Sequence, residues 1–523
     1  MTYKNPIIPG FNPDPSICRV GDDFYLVTSS FEYFPGVPIY HSRDLTNWKH
    51  IGYCLTRESQ LPLEGCGNSH GIWAATIRHH NGVFYMTTTI LNRAGPKRGN
   101  FFVTATDPAG EWSEPVFVDF KGIDPSLYFE GGKAYFMTNE GSGKHTLKGS
   151  DGIALAEIDV KTGALLSEKK VVWAGSGATC LEGPHLYFHN GWHYMLAAQG
   201  AMKSHQVTVG RSRDVFGPYE SCPRNPILSH KDYFLSPIQG AGHADLVDDQ
   251  HGNWWAVFLG TRPTVPGFSH LGRETFLAPV TWGDDGFPVV NGGNLIELEM
   301  TVPDRLPAPV AKPKDKNFTD TFDGDKLDLR WNFLRRESKV AYKLDNGLVL
   351  QSNGTDISTR GTPTWIGMRQ TDFDCEVFCK MKFDFKDAAE FGITVFYDNT
   401  RHYDLFVSNS AAGRKVIVKK TFEEMVMVPH CEEYPHDEIV LRMQADNWTY
   451  HFGYGKTEEE AKTSDVAKAS SRYLSSEIVV EGYTGVFIGI FAQGATQSTA
   501  KVEYFKVGTE DSGLRTVPSP KKI

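Results

Sequence analysis

The amino-acid sequence predicts an all-β chain, a five-bladed β-propeller followed by a β-sandwich. Three observations predict it. One pattern of strand, turn and strand recurs five times before residue 300. A proline-rich stretch then interrupts the chain. Beyond it, apolar and polar residues alternate with the period of two that a half-buried strand requires.

The repeat comes first. DPSICRVGDDFYLVTSS begins at Asp14, AATIRHHNGVFYMTTTI at Ala74 and DPSLYFEGGKAYFMTNE at Asp124. EGPHLYFHNGWHYMLAA begins at Glu182 and HADLVDDQHGNWWAVFL at His243. Each reads as an apolar strand, a tight turn with glycine where a hairpin needs positive φ, and an aromatic-rich strand. Tyr25, Tyr85, Tyr135, Tyr194 and Trp255 align, 50 to 61 residues apart. A unit of that length holds four short strands, which is a propeller blade. Further hairpins fill the units, as in FFVTATDPAGEWSEP and VTVGRSRDVFGPYE.

The stretch TVPDRLPAPVAKPKD, residues 301–315, carries four prolines and no periodicity, and reads as a stiff linker. The expected domains are therefore a propeller over 1–300, a linker over 301–315 and a sandwich over 316–523. GLVLQS, CEVFCKMKF, FGITVFYD, EIVLRMQ and GVFIGIFAQG alternate in the manner of sandwich strands.

Composition bounds the function. The 523 residues exceed what one core supports, and 40% hydrophobic with 22% charged residues fits a globular chain. A net charge of −10 with no basic footprint argues against nucleic acid and favours a neutral ligand. The eight cysteines show no zinc spacing and read as reduced, mostly buried thiols. There is no signal-peptide core at the N-terminus and no run of 18 apolar residues, so a cytoplasmic protein without membrane contact is expected.

Reading across the repeats locates a site. Ile17, Ile77, Leu127, Leu186 and Leu246 anchor the first strands. Three positions earlier stand Asp14, Ala74, Asp124, Gly183 and His243; one further back stand Trp73 and Glu182. First strands line a propeller's central channel, so matching positions become neighbours there. One aspartate beside a turn is an ordinary capping residue. Three acids converging on one funnel are not, because gathered like charges destabilise a fold and tend to mark function. Three carboxylates suit glycoside hydrolysis: a protonated acid for the leaving oxygen, an ionised carboxylate for water or sugar, and a neighbour that keeps the acid protonated. Composition and repeats do not assign which acid does what. Ca²⁺ binding is the rival use, but no EF-hand spacing is present.

The segments FNPDPS, GIDPSLYF and LEGPHLY resemble the three catalytic motifs of glycoside hydrolase family 43, and nearly the whole chain is similar to the β-xylosidases of that family. The resemblance implies an inverting, exo-acting hydrolase that releases xylose from the non-reducing end of short β-1,4-xylo-oligosaccharides. It makes Asp14 the general base, Glu182 the general acid and Asp124 the residue that raises and orients Glu182. By the same resemblance Arg273 in SHLGRETF binds sugar hydroxyls, Trp73 in GIWAAT and Phe31 give aromatic walls, and His243 in AGHADLV sits on the axis. It further implies a jelly-roll, concanavalin-like sandwich that closes the active site, with Tyr483 as the reaching residue. No cofactor is required for the chemistry; a Ca²⁺ or other divalent ion held at His243 through water is the metal expectation. Relatives form dimers or tetramers, so a homo-oligomer is expected.

The alternative activity is an α-L-arabinofuranosidase acting on arabinoxylan or arabinan fragments, because both pentoses present similar shapes. A retaining fructosidase on the same architecture is disfavoured: its WMNDPNG-type and RDP motifs are not matched by NPDPS or by Arg43-Asp44-Leu45. A non-catalytic carbohydrate-binding propeller would have no use for three converging acids.

Overall fold

The structure, a computed structural model, describes residues 2–92, 99–140, 152–264, 267–302, 306–308, 316–337, 341–479 and 482–509. Five antiparallel four-stranded meanders occupy the first part, two of them with a short extra strand. Their first strands are Ser16–Val20, Thr76–His80, Ser126–Glu130, Glu182–His189 and Gln239–Asp248. Each lies beside the first strands of the neighbouring blades, and the fifth returns to the first, so the ring closes. Thr2–Lys4 pairs with Glu299–Thr301, and Ile8 bridges Thr275, which sews the start of the chain onto the last blade.

The repeat is exact in register. Tyr25 pairs with Cys18, Tyr85 with Arg78, Tyr135 with Tyr128, Tyr194 with Tyr187 and Trp255 with Val247, always one residue beyond the apolar anchor. All five anchors are buried, each contributing roughly 1.5–3 kcal/mol by leaving water. The turns explain the glycines: Asn81-Gly82 and Asn190-Gly191 have φ of 50° and 79° and of 47° and 76°, the left-handed pair a type I′ hairpin demands.

Two residues along from Asp14, Ala74, Asp124, Gly183 and His243 stand Ser16, Thr76, Ser126, His185 and Asp245. Here the axis is sealed by a polar hub. Arg78 grips the fully buried Asp245 with both terminal nitrogens, at 2.8 and 3.0 Å. Ser16 Oγ and the Ile17 amide donate to the same carboxylate at 2.6 and 3.0 Å, the Tyr187 hydroxyl also donates to it, and His185 Nδ1 lies 2.9 Å from Arg78 Nη2. Burial disfavours the charge on Asp245, but Arg78 and these donors hold its carboxyl well below the ordinary range.

The second part is a sandwich of two eight-stranded sheets. The division at the linker is not clean. The edge strand of one sandwich sheet is Tyr33–Phe34 from the first blade, paired with Asn332–Leu334. Arg369 Nε donates to the Phe11 carbonyl at 2.6 Å and the Val486 amide to that of His270 at 2.9 Å, so further bonds cross the seam. Within 301–315, Thr301 ends a propeller strand; residues 303–305 and 309–315 lie outside the described residues, as do 510–523.

Candidate active site

The acids are presented by one repeated backbone corner. Asp14, Asp124, Gly183 and His243 have φ of 53°, 55°, 58° and 49°; the first two stand just before a first strand, Gly183 is second in its strand and His243 is midway along its own. Left-handed backbone costs a non-glycine residue about 1–2 kcal/mol, so three such residues at equivalent places are held there by the surrounding fold. The fourth blade departs for a steric reason. A Cβ on Gly183 would stand 2.7 Å from His243 Nε2, so that blade carries its acid one residue earlier, as Glu182.

The eight residues selected in the sequence meet in one pocket of about 180 Å³: Asp14, Phe31, Trp73, Asp124, Glu182, His243, Arg273 and Tyr483 all line it. Cys180, Lys203, His205, Ser476 and Glu477 line it too and were not anticipated. His205 ends a short loop helix, and Ser476 and Glu477 lie in the second domain, places that the blade repeat does not reach.

Asp14 is buried and fully engaged. Arg273 Nη1 donates to Oδ1 at 2.8 Å and Ser29 Oγ to Oδ2 at 2.6 Å, with His243 Nδ1 at 3.7 Å from Oδ1. Burial works against its charge, but Arg273, His243 and the serine bond outweigh it, so its carboxyl falls below the ordinary value. His243 and His205 are themselves pushed down by burial, His205 to about 3, so both are neutral near pH 7. Arg273 is then the permanent countercharge to Asp14. Asp124 and Glu182 behave oppositely. Burial and then the neighbouring carboxylates, Glu182 and Asp14, drive Asp124 well up; burial and then Asp14 bring Glu182 up to about 7. These two buried carboxyls titrate as a unit and hold a proton that Asp14 does not.

Aromatic side chains wall the pocket from both domains. The Tyr483 ring stands 6.0 Å from Trp73, edge to face, and 6.2 Å from Phe31. The Arg273 guanidinium lies 5.6 Å from each of the Phe31 and Tyr483 rings, and its Nη2 donates to the Tyr483 carbonyl at 3.3 Å. The second domain therefore reaches the residue that clamps Asp14.

The expectation at His243 is of an ion held through water; for direct coordination the donor set there is poor. Ca²⁺ seeks six to eight oxygens. Here the nearest side chains are an imidazole and the Asp14 carboxylate, already committed to Arg273 and Ser29. Among the described residues no group of three His, Cys, Asp or Glu side chains is arranged to hold a metal. Direct coordination does not fit these residues.

With this geometry in view, comparison with known proteins is informative. The model of glycosyl hydrolases family 43 matches residues 3–288, and that of the β-xylosidase C-terminal concanavalin A-like domain matches 319–508. A xylosidase/arabinosidase of Butyrivibrio fibrisolvens is 44% identical over 94% of this chain and 95% of its own length. A non-reducing-end α-L-arabinofuranosidase of Bacteroides ovatus is 41% identical over 95% of this chain and 92% of its own. The crystal structure of a xylan β-1,4-xylosidase from Bacillus halodurans superimposes with a TM-score of 0.90 at 31% identity, covering 97% of this chain and all of that one. The propeller, the concanavalin A-like sandwich and the matches along almost the whole length agree: the chain belongs to glycoside hydrolase family 43.

Proposed function

We propose that the protein is an inverting, exo-acting hydrolase that removes single xylose units from the non-reducing end of short β-1,4-xylo-oligosaccharides. One observation carries the mechanism. In a single pocket, Arg273 holds the Asp14 carboxyl below its ordinary value, while burial and then Glu182 and Asp14 push Asp124 up, and burial and then Asp14 push Glu182 up. Ionised and protonated carboxyls facing one sugar are the two halves of glycoside hydrolysis. Asp14 takes a proton from water as the water attacks the anomeric carbon. Glu182 gives its proton to the departing glycosidic oxygen. Asp124 keeps that proton on Glu182 until transfer. Arg273 serves both Asp14 and the sugar hydroxyls, and Trp73, Phe31 and Tyr483 pack the apolar sugar face. Ser476, Glu477 and Tyr483 wall the pocket from the second domain, which favours trimming from an end over cutting within a chain.

A second activity, α-L-arabinofuranosidase, is favoured by the names of the relatives, which include an arabinofuranosidase and a xylosidase/arabinosidase. The test is hydrolysis of 4-nitrophenyl β-D-xyloside and α-L-arabinofuranoside side by side, with and without EDTA, with NMR of the first-formed anomer. The reading expects turnover of the xyloside with inverted product and no loss in EDTA. Net retention would make Asp14 a nucleophile and overturn the inverting mechanism. A preference for the arabinofuranoside would reverse the order of the two activities.

A further inference from the structure

Ser69 is buried, has a left-handed backbone with φ of 56°, and belongs to no strand. All of its polar groups are used, and each goes to a different part of the seam. Its amide donates to both carboxylate oxygens of Glu32, at 3.2 and 3.1 Å. Its carbonyl accepts from the Trp73 indole at 3.2 Å, and its hydroxyl accepts from the Tyr483 amide at 2.9 Å. Trp73 and Tyr483 are two pocket walls from different domains, and Tyr483 in turn accepts from Arg273, which grips Asp14. Glu32 is itself buried beside the strand Tyr33–Phe34 that joins the sandwich sheet, and its carbonyl accepts from the Arg335 amide at 2.8 Å.

We propose that Ser69 is a positioning residue that clasps the Tyr483 segment of the second domain to the Trp73 wall, with Glu32 as its anchor, and thereby sets the shape of the sugar pocket. This rests on the hydrolase reading above. The clasp acts on geometry rather than on proton transfer. It holds walls that touch the sugar in ground and transition state alike, so its loss falls on KM more than on kcat. Ser69 bonds both walls, and it makes no hydrogen bond of its own to Asp14, Asp124, Glu182 or Arg273.

The variants are Ser69→Ala, which removes the hydroxyl but keeps the Cβ, and Ser69→Gly, which removes the hydroxyl and relieves the left-handed backbone. Two quantities are read: steady-state hydrolysis of 4-nitrophenyl β-D-xyloside, and amide exchange of the peptide containing Tyr483 by mass spectrometry. Both variants should raise KM about fivefold with kcat within about twofold, as loss of one hydrogen bond allows. Both should also accelerate exchange at Tyr483 without lowering the melting temperature. Unchanged exchange, or faster exchange with unchanged KM, overturns the clasp. So does an equal fall in kcat accompanied by loss of thermal stability, which is a folding defect. Should the wild-type protein hydrolyse neither aryl glycoside, the hydrolase reading fails by itself, and exchange at Tyr483 still decides whether Ser69 holds the segment.

Discussion

Two groups of charge share the axis of the propeller and follow opposite rules. In the lower layer Asp245 meets Arg78 and four further polar groups, and every charge finds its opposite. In the upper layer, two or three residues earlier in the same blades, Asp14, Asp124 and Glu182 line one pocket, and Arg273 bonds Asp14. Successive positions in the same blades thus pair the charges in one layer and crowd carboxyls in the other. The lower layer welds the first, second, fourth and fifth blades together. The upper layer spends some of that stability to keep one carboxyl ionised and two protonated, which is what proton transfer to and from a sugar requires.

The contrast breaks most sharply at Glu182. Glu182→Ala should lower kcat for xylo-oligosaccharides on the order of 10³-fold, the usual contribution of a general acid. Its melting temperature should stay level or rise, since a crowded carboxylate is gone. A variant with wild-type turnover would return the upper layer to a mere binding site. The lower layer should respond in reverse. Arg78→Met strands Asp245 as a buried unpaired charge, and should cost about 3–5 kcal/mol in urea unfolding. Turnover per folded molecule should change little. Loss of kcat in the folded Arg78→Met protein would show that the two layers are not separate devices.

The pH profile sharpens the same comparison within the upper layer. Asp14 is depressed, so the base is ionised and is lost only as pH falls through that lowered value. Glu182 is raised to about 7, so its proton is present at lower pH and lost as pH rises through that value. The rate constant kcat/KM should therefore fall on an alkaline limb near 7. Asp124→Asn takes away the carboxyl with which Glu182 titrates as a unit, and should move that limb to lower pH. An unmoved limb would mean that Asp124 orients Glu182 without tuning it.

How much of this is legible in the sequence depends on range. The blades are legible because strand, turn and aromatic recur within seventeen residues, and Asp14 and Asp124 because they hold the same place in that unit. Glu182 needs an offset of one, and its cause, the contact of Gly183 with His243, exists only once two blades meet. The lower hub had a signal, since His185 and Asp245 occupy matching places two residues along, but Arg78 stands one tier off the pattern. The pairing of Tyr33–Phe34 with Asn332–Leu334 and the contribution of Glu477 to the pocket had none. They join residues hundreds of positions apart, and no local pattern encodes a partner in another domain.

The smallest expected effect probes how Arg273 of the upper layer is held. Arg78 below is fixed by a bidentate carboxylate, whereas Arg273 above shares one oxygen of Asp14, donates to the Tyr483 carbonyl and rests against the Phe31 and Tyr483 rings. A cation over a ring face is worth about 0.5–1 kcal/mol where partly solvated. Phe31→Leu removes one face, keeps the site apolar and leaves Arg273 less firmly set against Asp14. Since Arg273 is what outweighs burial at Asp14, a looser Arg273 raises the Asp14 carboxyl. The acid limb of kcat/KM should move up by a few tenths of a unit, with KM raised about twofold to fourfold. The alkaline limb should move up by less, because Arg273 acts on Glu182 as well, though behind burial and Asp14. If instead KM rises while neither limb moves, Phe31 acts through the shape of the pocket alone, and the rings are packing rather than part of the device that keeps Asp14 ionised.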